Sequence, residues 1–257
     1  RDLVRSRGLG DVYKRQSLIF IMFYGGFGTN WKQAKPVAGK AVLLSTVGVI
    51  LTAVTTGAFC HFILKMDFWE SMLIGSVISS TDAASVFSIL RSKRLNLKNN
   101  TASMLEVESG SNDPCSYMLT VIILTIMSGE LSGSSLVVMI FSQIIFGILV
   151  GVVVALAAAF ILKKVNFATD GFDTIFVFSM ALVSYAGASM INGNGYLAAY
   201  IAGIILGNTP LHHKKSLVHF FDGITGLMQM LIFFLLGLLA YPCLLYTSPS
   251  PRDRTRS

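Results

Sequence analysis

Apolar stretches close to the length that crosses a bilayer recur along this chain with short polar punctuation between them, the pattern of a polytopic helical membrane protein. Eight segments are predicted: Ser17 to Phe27, which is truncated, then Val37 to Leu64, Phe68 to Leu90, Met104 to Ser128, Leu136 to Leu162, Phe172 to Ile191, Tyr196 to Asn208 and Gly223 to Tyr241. The segment at Tyr196 is short for a full crossing, so it either begins in the preceding Gly-rich turn or tilts little. The loops test the count independently, because successive loops alternate sides and basic residues collect on the cytoplasmic one. One set of loops holds Lys32, Lys35, Lys40, Arg91, Lys93, Arg94, Lys98, Lys163, Lys164, Lys214 and Lys215, and the other set holds only Lys65. Adding or losing one span would scramble this alternation.

Composition agrees: 53% of the 257 residues are hydrophobic, 13% are charged and the mean hydropathy is +0.68, whereas a soluble domain carries about a quarter charged residues. The ends differ in character. Arg1 to Gln16 and Cys243 to Ser257 are rich in Arg, Ser, Pro and Asp, and the strings DVYKRQ and CLLYTSPSPRD within them resemble translated sequencing adaptor. Both ends are therefore expected to be non-native, and the native part, Ser17 to Pro242, is expected to be a piece of a longer transmembrane domain. Without the ends the net charge falls to 12 − 10 = +2, so the pI near 9.4 gives no ground for a nucleic-acid partner. Cys60, Cys115 and Cys243 have no metal-site or disulfide spacing.

Ionisable residues inside the apolar spans carry the chemical information, since a charge at a helix centre costs about 2.5 to 3.5 kcal/mol on insertion scales. Asp82 and Asp113 lie near the middle of their spans. The third span reads GSVISSTDAAS from Gly75, and its hydroxyls compete with the helix for backbone groups, which predicts a break near Ser80 to Asp82 with Thr81 or Asp82 capping the half-helix beyond. The other reading of these small residues is a continuous helix packed closely. In the fourth span, LEVESGSNDP from Leu105, Ser109 and Asp113 share one helical face with Glu106 a turn further out, and Glu108 and Asn112 form a second i, i+4 pair. Pro114 has no N–H for the Gly110 carbonyl, so a polar opening beside Asp113 is expected. The rival account is a buried polar cluster that only joins helices.

The strings STDAASVFSIL at Ser80 and LEVESGSNDP at Leu105, continued by GNGYLAAYIAGIILGN at Gly193 and FFLLGLLAYP at Phe233, resemble the monovalent cation/proton antiporters, and within them the NhaP and cell-volume-regulation branch. The resemblance implies an all-α polytopic membrane protein, about eight transmembrane helices of a larger inverted-repeat antiporter fold, in the inner (cytoplasmic) membrane. It implies electroneutral exchange of K+ or Na+ for H+ with no other cofactor, and a homodimer. By the same resemblance Asp113 is the carboxylate that exchanges cation for proton, Asp82 and Ser109 are further ligands, and Thr81 supplies an oxygen, by preference its backbone carbonyl. Asn112, where electrogenic relatives have a second aspartate, marks one-for-one exchange. Glu108 supports the site by holding a basic residue on a later helix. The chemistry is consistent on its own terms, because an Asp-Asp-Ser-Thr-carbonyl cluster supplies only the oxygen ligands that hard monovalent cations prefer, and one carboxylate can hold a proton or a cation in turn.

Two other function classes compete. A passive cation channel also uses oxygen-lined sites, and an intramembrane aspartyl protease also pairs two aspartates on adjacent helices. The protease is expected to show Tyr-Asp and Gly-x-Gly-Asp, whereas this chain has Thr81-Asp82 and Asn112-Asp113. The small-residue stripe Ala199, Gly203, Gly207 is read as helix packing, and His212, His213 and His219 as members of a solvated loop.

Overall fold

The computed structural model describes residues 2–82, 86, 90, 97–129, 133–164, 171–211 and 214–239. Among them the regular elements are helical: α1 Asp2–Gly28, α2 Ala38–Phe62, α3 Phe68–Ile78, α4 Thr101–Ser128, α5 Gly133–Lys164, α6 Phe172–Met190, α7 Gly195–Gly207 and α8 Lys214–Leu239, with single turns at Trp31–Ala34 and Lys98–Asn100. Among the described residues four stretches are long and apolar enough to cross a membrane: Ala38–Phe62, Leu136–Lys164, Phe172–Met190 and Lys214–Gly237. The 28 residues of α4 rise about 42 Å, enough to cross, with the carboxylates inside. The chain is an all-α polytopic membrane protein, as the hydropathy pattern implies.

Several boundaries move. The last helix begins at Lys214 and not at Gly223, so Lys214, Lys215 and His219 lie on its first turns rather than in a loop. Lys and His are compatible with a helix in water, and polarity marks where a helix leaves lipid, not where it ends. His212, His213, the Arg91 to Arg94 cluster and the segment from Cys243 onward lie outside the described residues. Helix α1 runs unbroken across the expected junction at Gln16 and Ser17. Within α2 the stretch Leu44–Gly48 widens to a π-turn. There the Thr46 and Ser45 hydroxyls both donate to the Val42 carbonyl, at 2.7 and 3.1 Å, and hydroxyls bonded back to the preceding turn disturb the regular ladder.

The helices form two packed groups. In the first, α1 lies against α7, α8 and α6, and α7 also packs on α5 and α6. Its core holds Phe20, Phe23, Tyr24, Phe27, Tyr196, Leu206 and Phe221. The 13 residues of α7 span only about 20 Å, less than a hydrocarbon core of about 30 Å. That is tolerable because α7 is an interior helix with nine buried residues. In the second group α2 packs on α3, and both pack on α4, which also touches α1, α5 and α7 and so joins the two groups.

Close backbone approach sets the crossing of α1 and α7. A Cβ at Gly203 or Gly207 would run into the carbonyl oxygens of Phe23 and Phe27, and one at Gly26 into that of Tyr200. The stripe is thus a packing surface, where dispersion between touching backbones replaces a hydrophobic driving force that lipid does not supply. Gly207→Val in the full-length protein is expected to lower stability in detergent by roughly 1 to 3 kcal/mol, read as a fall in Tm. Gly223→Ala, with open space around the added methyl, is expected to leave Tm unchanged or slightly raised.

Candidate functional site

The start of α3 is capped by Asp67, whose side chain accepts the Trp69 N–H at 3.0 Å. Its end at Ile78 has a local cause. Ser76 donates to the Leu73 carbonyl at 2.8 Å and Ser79 to the Ser76 carbonyl at 2.7 Å, and hydroxyls that engage backbone carbonyls favour leaving the helix. Thr81 and Asp82 have no regular structure. Beyond them the Val86 N–H donates to the Asp82 carbonyl at 3.1 Å, which puts Asp82 at the N-cap position of a resumed helical turn. The break predicted at Ser80 to Asp82 is present, and Ala83 to Ser85 lie outside the described residues.

Helix α4 faces this break with buried polar groups. Ser109 is 0% exposed and Asn112 is 1% exposed, which makes their hydrogen bonds obligatory. The hydroxyls of Thr81 and Ser109 are 3.2 Å apart. The Asn112 side-chain amide donates to Thr81 Oγ1 at 2.6 Å and to Glu108 Oε1 at 3.2 Å, so the pair expected one turn apart is made. Asp113, half-buried, lies close enough to the Ser80 side chain, Asp82 and Glu108 for their dipole and charges to act on it. Thr81, Asp82, Ser109, Asn112, Asp113 and Glu108 are thus brought to one place. The hydrogen bonds that tie Thr81 to α4 are made by its hydroxyl. Asn112 Oδ1 is buried with no hydrogen-bond partner among the described residues.

A hydroxyl ladder holds α3 to α4 behind the break. Ser116 donates to the Ser76 carbonyl at 2.6 Å, and the Ser76 and Thr120 hydroxyls lie 3.1 Å apart. These contacts, together with Ser80, escape a sequence search centred on carboxylates, although the run Ser79, Ser80 and Thr81 just past α3 is a visible sign of hydroxyl chemistry there. Two partners from α7 were not foreseen at all. The ring of Tyr200, wholly buried, lies against Gly110, where a Cβ would come within 2.5 Å of it. The Asn194 amide donates to the Pro114 carbonyl at 3.3 Å.

Open cavities flank the cluster on opposite sides. One of about 790 Å³ is lined by Thr29, Lys32, Gln33, Ser103, Glu106 and Lys214. The other, about 670 Å³, is lined by Tyr117, Gln143, Tyr185, Asn192, Asn194 and Tyr196. Among the described residues no group of three His, Cys, Asp or Glu would hold a metal ion. The donors at the break are carboxylate, hydroxyl, amide and carbonyl oxygens, a set suited to a hard cation.

Fold and site define a class: a multi-pass membrane domain in which a broken helix presents one aspartate to a second on a proline-containing neighbour. The chain belongs to the sodium/hydrogen exchanger transmembrane family, whose model matches residues 12–249. It is 34% identical over 228 residues to the K(+)/H(+) antiporter NhaP of Alkalimonas amylolytica, a match covering 88% of this chain and 39% of that protein. It is 27% identical over 242 residues to the probable Na(+)/H(+) antiporter 2 of Methanocaldococcus jannaschii, covering 88% of this chain and 56% of that one. The structure of the sodium proton antiporter MjNhaP1 from Methanocaldococcus jannaschii at pH 8 shares the fold, with a TM-score of 0.74 at 24% identity over 86% of this chain and 55% of that chain. The chain therefore spans about two fifths of the length of its NhaP relative.

Thr81 is the joint between the two helices of the site. Thr81→Val keeps the shape and removes both hydrogen bonds, so it is expected to destabilise the full-length protein by about 1 to 3 kcal/mol, whereas Thr81→Ser is expected to restore most of the loss. Thermal unfolding in detergent compares the two.

Proposed function

We propose that this chain forms the ion-exchanging part of a secondary transporter that moves a monovalent cation, K+ or Na+, against H+ across the cytoplasmic membrane, one for one, in a homodimer. The observation that carries the proposal is that Asp82, just past the end of α3, lies near enough for its charge to act on Asp113 of α4, beside the oxygens of Thr81, Ser109 and Asn112. The names of the NhaP relatives, K(+)/H(+) antiporters, favour potassium as the cargo.

Each residue has a task in this mechanism. Asp113 alternates between proton and cation, with Asp82 and Ser109 completing the cation's ligands. The Thr81 hydroxyl and the Asn112 amide hold the break against α4, and the unpartnered Asn112 oxygen offers one more ligand. Glu108 takes part of the Asn112 amide and keeps it turned toward Thr81. With Asn112 neutral, the loaded site carries the same charge with one proton as with one monovalent cation. Coupling follows if the loaded site crosses readily and the empty, doubly charged one does so poorly.

Inverted vesicles containing the full-length protein test this. Asp113→Asn is expected to abolish cation-driven proton movement, and persistence of exchange would sink the proposal. Asp82→Asn removes one charged ligand worth about 1.5 to 3 kcal/mol, so the apparent KM for the cation is expected to rise about 10- to 100-fold. Because proton and cation compete for one carboxylate, the wild-type KM is expected to rise as pH falls, by up to about tenfold per pH unit. An imposed membrane potential is expected to leave the wild-type rate unchanged.

A further inference from the structure

The loop between α6 and α7 runs from Ile191 to Asn194 and ends on a densely bonded residue, Asn194. This residue is 2% exposed, and its polar groups are used in several directions at once. Its N–H donates to the Gln143 carbonyl of α5 at 3.0 Å. Its side-chain oxygen caps α7 by accepting the Leu197 N–H at 3.1 Å, and its side-chain amide crosses to the Pro114 carbonyl of α4 at 3.3 Å. Glycines on either side allow this fit. A Cβ at Gly193 would come within 2.9 Å of the Phe146 Cβ, and one at Gly195 within 2.6 Å of the Tyr185 ring. Asn194 is therefore held by the first helix group through its N–H and its side-chain oxygen and reaches the second through its side-chain amide.

The receiving group is the carbonyl of the residue that follows Asp113. Proline already removes one rung of the α4 ladder at Gly110, so the backbone around Asp113 has fewer internal restraints than the rest of the helix. A donor from outside the helix fixes the peptide at that point. Asn194 also lines the 670 Å³ cavity, to which α4 contributes Tyr117, one turn beyond Asp113, so the same contact joins the wall of that cavity to the helix that carries Asp113.

We propose that Asn194 is a positioning residue for the exchange site: it fixes Asp113 through the Pro114 carbonyl and closes the site toward the non-cytoplasmic cavity. The proposal rests on the exchange mechanism above. Movement of α4 relative to the first helix group has to break this bond, whereas the cap on α7 and the bond to Gln143 stay intact.

The two side-chain roles separate by substitution in the full-length protein. Asn194→Ser keeps a capping oxygen for Leu197 and is too short to reach Pro114, whereas Asn194→Ala loses both. Two readouts apply: the KM and maximal rate of cation-driven proton movement, and the rate at which Cys115 reacts with a membrane-impermeant thiol reagent from the non-cytoplasmic side, in a Cys60→Ser background. The Ser variant is expected to keep the wild-type Tm, to raise KM at least about fivefold with a smaller change in maximal rate, and to speed Cys115 modification at least about threefold, as the Ala variant does. If Ser behaves as wild type in both readouts and only Ala is impaired, Asn194 is a helix cap alone and the proposal is overturned. If the Ser variant loses Tm, Asn194→Asp, which also retains the cap and lacks the amide donor, is measured in its place against the same criteria. Cysteine modification does not depend on transport. Failure of wild-type exchange would therefore count against the antiporter mechanism, and an unchanged modification rate against Asn194.

Discussion

A backbone that leaves its helix at membrane depth must find other partners for its N–H and C=O groups, and this constraint organises the structure around the gap between Ile78 and Asp82. At the gap the Ser76 carbonyl accepts from the hydroxyls of Ser79 and of Ser116 on α4, while Ser109 and Asn112 of α4 take up the Thr81 hydroxyl. Once these bonds exist, Asp82 sits at a helix start beside Asp113, and the two carboxylates share surroundings that no unbroken apolar helix could supply. The site is thus a consequence of how a broken helix is satisfied. Its chemistry and its mechanical support are the same set of atoms.

The protein also divides its contacts by kind. Where helices of one group meet, backbone touches backbone: Gly26, Gly203 and Gly207 for α1 and α7, and Gly57 and Gly75 for α2 and α3, positions at which a Cβ would collide with the neighbouring helix. Contacts of that kind have one good register, because dispersion falls steeply with a gap of even a fraction of an ångström. Where α4 meets the α7 region, the contacts instead run through side chains, the Tyr200 ring on Gly110 and the Asn194 amide on Pro114.

Much of this was legible in the sequence, for reasons that can be named. The break in α3 shows as a run of hydroxyl residues before an aspartate, because competition for backbone carbonyls is local to one turn. The Glu108 and Asn112 bond follows from spacing alone. Contacts set by tertiary packing were not legible: Asn194 and Pro114 are 80 residues apart, and nothing near either residue points to the other. The π-turn at Leu44–Gly48 was missed because Ser45 and Thr46 fit an ordinary helix equally well until the third dimension decides where their hydroxyls go. The start of α8 was missed because a hydropathy boundary at Gly223 and a helix boundary at Lys214 are different physical events.

The bond from Asn194 to Pro114 joins these observations. At 3.3 Å it lies beyond the usual 2.7 to 3.2 Å range for N–H···O bonds, so it is weaker than the 2.6 Å bond from Asn112 to Thr81 that holds the site itself together. A transporter of the exchanger class has to keep its ligands assembled while the assembly changes the side it faces. That requires strong bonds within the group that carries the ions and weaker, replaceable ones between that group and its frame. The shortest bonds between the α3 region and α4, Asn112 to Thr81 and Ser116 to Ser76, are both 2.6 Å, with Thr81 and Ser109 at 3.2 Å beside them, and the bond from α4 to the loop that begins α7 is the longest of the set at 3.3 Å. If α4 shifts against the frame, the first polar contact to yield is therefore the one beside Pro114, where the helix already lacks a rung, and the aspartates can move without losing the hydroxyls and amide that make their burial tolerable.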